Sequence, residues 1–270
     1  MDEKLIIGLK NWFAPLPGTI TAFSGGIDSA LVLLLSRKFL GREKAIGVIS
    51  NSESLKDKDY QLAVDFAGKN DIVLETIRTE ELADANYNAN PANRCYFCKT
   101  HLYNELEKMK IKYPGFVVLN GTNKDDFSDY RPGLIAADQH RVRSPLSDLG
   151  LGKDDVRRLA KHFGIPFWNK PASPCLSSRI PYGNKVTGNK LDQIERAEGI
   201  LNDFSFHDVR VRHYEKYCRI EVPLSELERL KFLSTSIIPL ILKLGFKECV
   251  IEEKGLVSGN LNKVLNVGHG

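Results

Sequence analysis

Cys95 and Cys98 are the first residues of this chain whose types and spacing could do chemistry. They close the stretch Asn90-Pro91-Ala92-Asn93-Arg94-Cys95-Tyr96-Phe97-Cys98-Lys99, and two thiols three residues apart can chelate one metal ion or one cluster. Structural zinc, redox disulfides and inert buried pairs share that spacing. Arg94 and Lys99 would lower a neighbouring thiol pKa, and they suit a phosphate equally well. A third thiol, Cys175, lies in Lys170-Pro171-Ala172-Ser173-Pro174-Cys175-Leu176-Ser177-Ser178-Arg179-Ile180-Pro181-Tyr182-Gly183. Proline, Ser178 and Arg179 make that loop rigid and polar, a poor place for a cysteine whose role is packing. A zinc site would need a fourth donor, for which His101 and Cys218 are available without any spacing to recommend them. Cys218 and Cys249 sit in apolar strand patterns and read as small core residues.

A second chemical signal precedes these. Ser24-Gly25-Gly26-Ile27-Asp28-Ser29 stands between an apolar run and the helical pattern Ser29-Ala30-Leu31-Val32-Leu33-Leu34-Leu35. That order leaves backbone N–H groups at a helix start pointing toward an anion. The glycines allow main chain to approach phosphates, the serines offer hydroxyls, and Asp28 can hold a magnesium ion. The bland alternative is a serine-glycine turn capping an ordinary helix.

These groups need a frame. Strand patterns at Thr19–Phe23, Ala45–Ile49, Asp71–Ile77 and Phe116–Asn120 alternate with helical patterns over 29–39, 55–70 and 100–110, which predicts an α/β, doubly wound parallel sheet. Ligands of such sheets bind beyond the carboxyl ends of the strands. The loop Ser24–Ser29 follows the first strand, Ser50 the second and Gly121 the fourth, so the expected nucleotide contacts are Ser24, Gly25, Gly26, Asp28, Ser29, Ser50 and Gly121. Asp125 and Asp126 fall at the same mouth, able to bind magnesium, to orient a nucleotide, or simply to cap a helix. A polar, proline-rich stretch from Asn169 to Asn189 predicts a long functional loop. Beyond it, a helix over 190–202, strands near Val209–Arg212, Cys218–Val222 and Cys249–Glu252, and a helical region over 224–244 predict a smaller α+β domain. The expected domains are residues 1–168 and 169–270. In the second, Arg210 and Arg212 alternate with Val209 and Val211, so a strand would turn both guanidiniums to one face. That face is either solvated or able to grip a phosphate.

Composition narrows the setting. The 270 residues are 42% hydrophobic and 27% charged with a formal net charge of +4, a balance that fits a folded domain and gives little support to a broad nucleic-acid surface. No run approaches the roughly 18 apolar residues of a membrane span, and the N-terminal segment lacks a signal peptide's apolar stretch. The expectation is a cytoplasmic protein without membrane or nucleic-acid partners, its oligomeric state left open.

The hexapeptide Ser24–Ser29 resembles the signature of the PP-loop ATP-pyrophosphatase superfamily, whose members split ATP between the α and β phosphates and adenylate a substrate oxygen. It lacks the Gly-Lys-Ser/Thr ending of a Walker loop. Taken with the two cysteine stretches, Gly121–Gly133 and Val209–Arg212, it resembles the LarE family of sulfur transferases over most of the chain. The resemblance implies a PP-loop fold with a smaller C-terminal α+β domain, and ATP and magnesium as cofactors. It also implies adenylation of a carboxylate of pyridinium-3,5-biscarboxylic acid mononucleotide, followed by replacement of its oxygen by sulfur in nickel-pincer nucleotide synthesis. One version of the family sacrifices the sulfur of its loop cysteine; another holds a 4Fe-4S cluster on three cysteines. The matching residues are Cys95, Cys98 and Cys175, so the sequence looks like the cluster version, with Cys175 and Asp28 central to catalysis. Three thiolates leave one iron open for sulfide. The same resemblance implies substrate contacts by Arg94, Lys99, Asp126, Ser178, Arg179, Glu198, Arg210 and Arg212, with a small nucleotide substrate and a sulfide donor as partners. The rivals are a transfer-RNA thiolase, a sacrificial sulfur donor acting through Cys175, an amide-forming synthetase, which leaves the cysteines unexplained, and a nucleotide- or cluster-binding module without turnover.

Overall fold

The computed structural model describes residues 3–128, 131–171 and 173–257. Asp129, Tyr130 and Ala172, part of the stretches quoted above, lie outside them. The chain falls into two compact units, residues 1–81 with 95–173, and residues 82–94 with 174–270.

The first unit is a parallel sheet covered by helices. Its strands are β1 (Thr19–Ala22), β2 (Ala45–Ser50), β3 (Val73–Ile77) and β4 (Val117–Leu119), in the order β3-β2-β1-β4. Thr19 pairs with both Ala45 and Val117, so β1 is central. The helices are α1 (Glu3–Phe13), α2 (Ile27–Leu40) and α3 (Asp57–Lys69), then, after α4 (Ala85–Asn88) of the second unit, α5 (Arg94–Met109), α6 (Gly133–Gln139), α7 (Pro145–Asp148) and α8 (Lys153–His162). Ala30 through Leu35 are all buried, because α2 is apolar all round and lies against the sheet with α1 and α8 behind it. Contact there is close: a Cβ on Gly47 of β2 would come within 2.8 Å of the Leu33 side chain.

One element differs from the sequence expectation. The helix expected from Thr100 begins at Arg94, three residues after Pro91, whose carbonyl accepts the Arg94 N–H at 2.9 Å. Cys95 and Cys98 therefore stand in the first two turns of α5, on one side of it, rather than in a preceding loop.

The second unit packs α9 (Gly188–Asp203) and α10 (Leu227–Leu242) on a sheet of β5 (Arg210–Tyr214), β6 (Tyr217–Glu221) and β7 (Glu248–Ile251). β5 and β6 form an antiparallel hairpin, and β7 returns parallel to β6 after α10. Val209, Val211, Cys218 and Ile220 are buried in its core, which is the side of β5 opposite to its arginines. Residues 82–94 join this unit through long-range bonds. The Asn90 side-chain amide donates to the carbonyls of Ile180, Pro181 and Asn184 at 3.2, 2.7 and 3.0 Å, and the Tyr87 and Ser177 hydroxyls are 2.6 Å apart.

Candidate active site

In the first unit, β1 ends at Ala22 and the chain turns through Ser24–Gly26 into α2. The Ser29 hydroxyl organises the turn, accepting the Ser24 N–H at 3.2 Å and donating to the Gly26 carbonyl at 3.1 Å. Gly25 has φ +73°, and a Cβ there would stand 2.9 Å from the Asp59 carbonyl oxygen, so glycine is required on both counts. Gly121, after β4, is tighter still. A Cβ on it would lie 2.5 Å from the Ser29 nitrogen and 2.8 Å from the Asp28 carbonyl carbon.

Asp28 points toward the segment after β4. Its Oδ1 accepts from Asn123 Nδ2 at 2.9 Å. Burial pushes its pKa above the usual carboxylate value, the Asn123 hydrogen bond opposes that shift, and the negative charge of Asp126 adds to it. Asp126 is itself buried, accepts the Asn123 N–H at 3.1 Å and pairs with Arg131 at 2.9 Å. The two neighbouring aspartates differ. Asp125 accepts the Lys153 N–H at 2.7 Å and so caps α8, the capping alternative of the sequence reading, while Asp126 and Asp28 feel one another's charge.

Ser24, Ser50, Thr79, Glu81, Cys98 and Lys99 line one cleft at the ends of β1 and β2. The Ser50 and Thr79 hydroxyls are 2.7 Å apart. Of the cysteine pair, Cys98 is half-buried and faces this cleft, whereas Cys95 is exposed and is not among its walls. Thr79, Glu81 and Asn123 had no assigned role in the sequence. Thr79 and Glu81 sit in a short polar stretch after β3 that carries no motif, and Asn123 lay inside a recognised stretch without chemistry to single it out.

The second unit holds Cys175 and the arginines. Cys175 is exposed and precedes a single 3-10 turn, Leu176–Arg179. Its carbonyl accepts the Ser178 hydroxyl at 2.7 Å and Arg179 Nη1 at 3.0 Å. Arg179 is fully buried. It grips Glu198 with Nε and Nη2 at 2.8 and 3.2 Å and gives Nη1 to the Pro174 carbonyl at 2.6 Å. Glu198 Oε1 also accepts the Val211 N–H at 3.1 Å, tying the pair to β5. Arg212 is buried too, with Nε and Nη2 on Glu221 at 3.0 and 2.8 Å and Nη1 on the Ser178 carbonyl at 2.8 Å. Arg94 is buried against Asn90 and the Ser177 carbonyl. Arg179, Arg212 and Arg94 thus hold the backbone around Cys175. Arg210 is the half-buried member of the group, its pKa lowered by burial and by the charges of Arg179 and Arg212, with Glu198 and Asp208 opposing. Its Nη1 pairs with Asp208 Oδ1 at 3.2 Å and donates to the Val209 carbonyl at 2.8 Å.

Cys218 and Cys249 face one another across β6 and β7, and the hydrogen bond between them together with burial pushes the Cys218 thiol far up. Cys218 is fully buried in the core of the second unit, and Cys249 is partly buried against it. Among the described residues no group of three His, Cys, Asp or Glu side chains is gathered as a metal site, and no helix is long and apolar enough to cross a membrane.

A parallel β3-β2-β1-β4 sheet with a Ser-Gly-Gly turn leading into α2 is the architecture of PP-loop ATP-pyrophosphatase domains. The NAD synthase family profile matches residues 13–113. The chain is 38% identical to an uncharacterized protein of Synechocystis sp. over 98% of this chain and 99% of that protein. It is 33% identical to the pyridinium-3,5-bisthiocarboxylic acid mononucleotide synthase of Lactiplantibacillus plantarum, over 97% of this chain and 93% of the synthase. An NH(3)-dependent NAD(+) synthetase of Finegoldia magna matches at 28% identity over 60% of this chain and 70% of that enzyme. The chain belongs to the LarE family of PP-loop proteins, as an ATP-using enzyme.

Proposed function

We propose that this enzyme is an ATP-dependent sulfur transferase that adenylates a carboxylate of pyridinium-3,5-biscarboxylic acid mononucleotide and replaces the activated oxygen with sulfur, in the cytoplasm. Likeness to the synthase runs through both units, whereas the NAD synthase profile stops at residue 113. The observation that carries the sulfur reading beyond adenylation is the cleft that Ser24 of the phosphate loop shares with Cys98. An amide-forming synthetase has no use for a thiol there.

A substrate carboxylate oxygen attacks the α phosphorus of ATP, pyrophosphate leaves, and an acyl adenylate remains. Hydrosulfide then adds to the acyl carbon and AMP departs with the former carboxylate oxygen, leaving a thiocarboxylate. The amides of Ser24–Ser29 hold the β and γ phosphates. Asp28 and Asp126, mutually repelling carboxylates at the loop, are the residues that would hold magnesium, which would offset the charge of the leaving pyrophosphate. Arg210 takes the substrate phosphate. Arg179, Glu198, Arg212 and Arg94 position the backbone around Cys175, and Lys99 neutralises charge at the cleft.

Cys95, Cys98 and Cys175 would hold a 4Fe-4S cluster. Their donor chemistry fits: Cys95 and Cys175 are exposed, Cys98 is half-buried, none is in a disulfide, and Cys95 and Cys98 share a side of α5. When bound, such a cluster supplies an iron without a protein ligand, at which sulfide can be carried.

The test is anaerobic purification followed by incubation with ATP, the dicarboxylate nucleotide and sulfide. Expected are AMP, pyrophosphate and a thiocarboxylate product, with about four irons per chain. Cys95→Ala, Cys98→Ala and Cys175→Ala are each expected to abolish the thiocarboxylate while leaving ATP binding largely intact. Full activity of an iron-free Cys95→Ala variant would falsify the cluster. A Cys175 lighter by one sulfur after a single turnover points instead to the sacrificial version, and thiolated transfer RNA as product points to the RNA-modifying one.

A further inference from the structure

Glu81 closes the first unit, just after β3, and its side chain is 1% exposed. It lines the cleft of the phosphate loop, yet its Oε2 is buried without any hydrogen-bond partner. An ionised carboxylate only accepts, and a buried oxygen deprived of a donor is expensive. Such a group persists where a ligand brings the missing donor.

The cleft narrows what that ligand is. Phe23, Ile49 and Leu102 give it apolar wall, while Ser24 belongs to the phosphate loop. A molecule that suits both has a flat apolar ring system at one end and phosphates at the other. A phosphate-bound cation is a poor partner, because Glu81 follows β3, which lies two strands from β1 in the sheet. At strand spacings of about 4.8 Å, β3 itself runs roughly 10 Å from β1.

We propose that Glu81 is a nucleoside-recognising residue: Oε2 accepts a hydrogen bond from a hydroxyl or amino group on the nucleoside half of ATP. The inference rests on the cleft being the ATP site and is independent of what becomes of the adenylate. Glu81 thereby distinguishes a nucleotide from bare pyrophosphate, which the loop amides hold without help from Glu81.

Calorimetric titration of the full chain with α,β-methylene ATP and with inorganic pyrophosphate tests this, alongside melting temperatures, for wild type, Glu81→Gln and Glu81→Leu. The methylene analogue is expected to bind Glu81→Leu more weakly by on the order of ten-fold or more, and Glu81→Gln, which keeps a carbonyl acceptor, by less. Pyrophosphate affinity should not change, and Glu81→Leu should melt no lower than wild type, since it removes an unsatisfied buried carboxylate. Repeating the titrations with the 3′-deoxy and the inosine forms of the analogue separates ribose from base. The form lacking the relevant donor loses affinity for wild type and loses nothing further in Glu81→Leu. Unchanged analogue affinity in both variants overturns the proposal. So does an equal loss for analogue and pyrophosphate together with a lower melting temperature, the outcome of a merely structural role. A folded wild type that binds neither nucleotide form overturns the nucleotide reading itself.

Discussion

Gly121 and Ser29 come so close that a Cβ on Gly121 would lie 2.5 Å from the Ser29 backbone nitrogen. The segment after β4 is thereby pressed against the first turn of α2, where the phosphate loop ends. A methyl group cannot be admitted without moving backbone, because the obstructing atoms are main chain on both sides.

Gly121→Ala is accordingly expected to displace the loop. Pyrophosphate release should fall by about ten-fold or more, with a stability loss of about 1–3 kcal/mol from overpacking. Gly199→Ala, in the middle of α9 with nothing within 4 Å of its added Cβ, is the control and should melt no lower than wild type.

Asp28 sets stability against function. Burial raises its folded-state pKa above the ordinary carboxylate value, so the folded protein holds this proton more tightly than the unfolded chain does. Stability falls as pH rises from the unfolded value through the raised folded value, and the deficit persists above it. Asp28→Asn is expected to melt at the same or a higher temperature at neutral pH and to release almost no pyrophosphate. Asn123→Ala removes the hydrogen bond that opposes the shift, and should move the acid limb of the pyrophosphate-release profile to higher pH. An acid limb that stays in place in Asn123→Ala rules out Asp28 as its origin.

Arg179 and Glu198 form a buried pair, 0% and 3% exposed. Removing one partner strands the other, at a cost of about 3–5 kcal/mol. Glu198→Gln should therefore lower the melting temperature and also change how fast Cys175 is alkylated, because Arg179 then loses the brace that holds its Nη1 on the Pro174 and Cys175 carbonyls. Arg179→Lys should not restore the wild-type rate, since an ammonium cannot span Glu198 and those two carbonyls at once.

His213 gives the second unit an acid sensitivity. Its Nδ1 accepts the Glu215 N–H at 3.1 Å, its Nε2 lies 3.1 Å from Gln193 Oε1, and its ring packs edge-on to Phe246. Burial first, and the Lys190 charge second, lower its pKa below the ordinary value. The neutral ring is therefore the folded form, and stability is lost as pH falls from about 6.5 through the depressed folded value. Melting curves at pH 7.5 and 5.5 should show that loss for wild type and a smaller one for His213→Gln.

Much of the nucleotide half was legible in the sequence because its determinants are local. The apolar run Thr19–Phe23, two glycines and the apolar helix beyond them specify strand, turn and helix within about twenty residues, and the helix start supplies its own anion site. Val209, Arg210, Val211 and Arg212 likewise announce a two-sided strand by alternation alone. The start of α5 was not legible, since Arg94–Lys99 carries no apolar period of its own and the turn is stabilised by the Pro91 carbonyl and by packing.

What the sequence by itself determined is the strand–turn–helix around Ser24–Ser29 and the positions of the three thiols Cys95, Cys98 and Cys175. Which polar groups face a ligand and which only hold the chain was decided by the tertiary structure. Arg179 and Arg210 each neighbour small or apolar residues in the sequence, yet one is sealed against Glu198 and the other is paired at 3.2 Å with Asp208. Glu81 looks like any surface glutamate until β3 and the cleft enclose it. Burial and hydrogen-bond satisfaction depend on residues distant in the chain, such as Glu198 for Arg179 and Asn90 for the loop after Cys175, and only folding brings them within bonding distance.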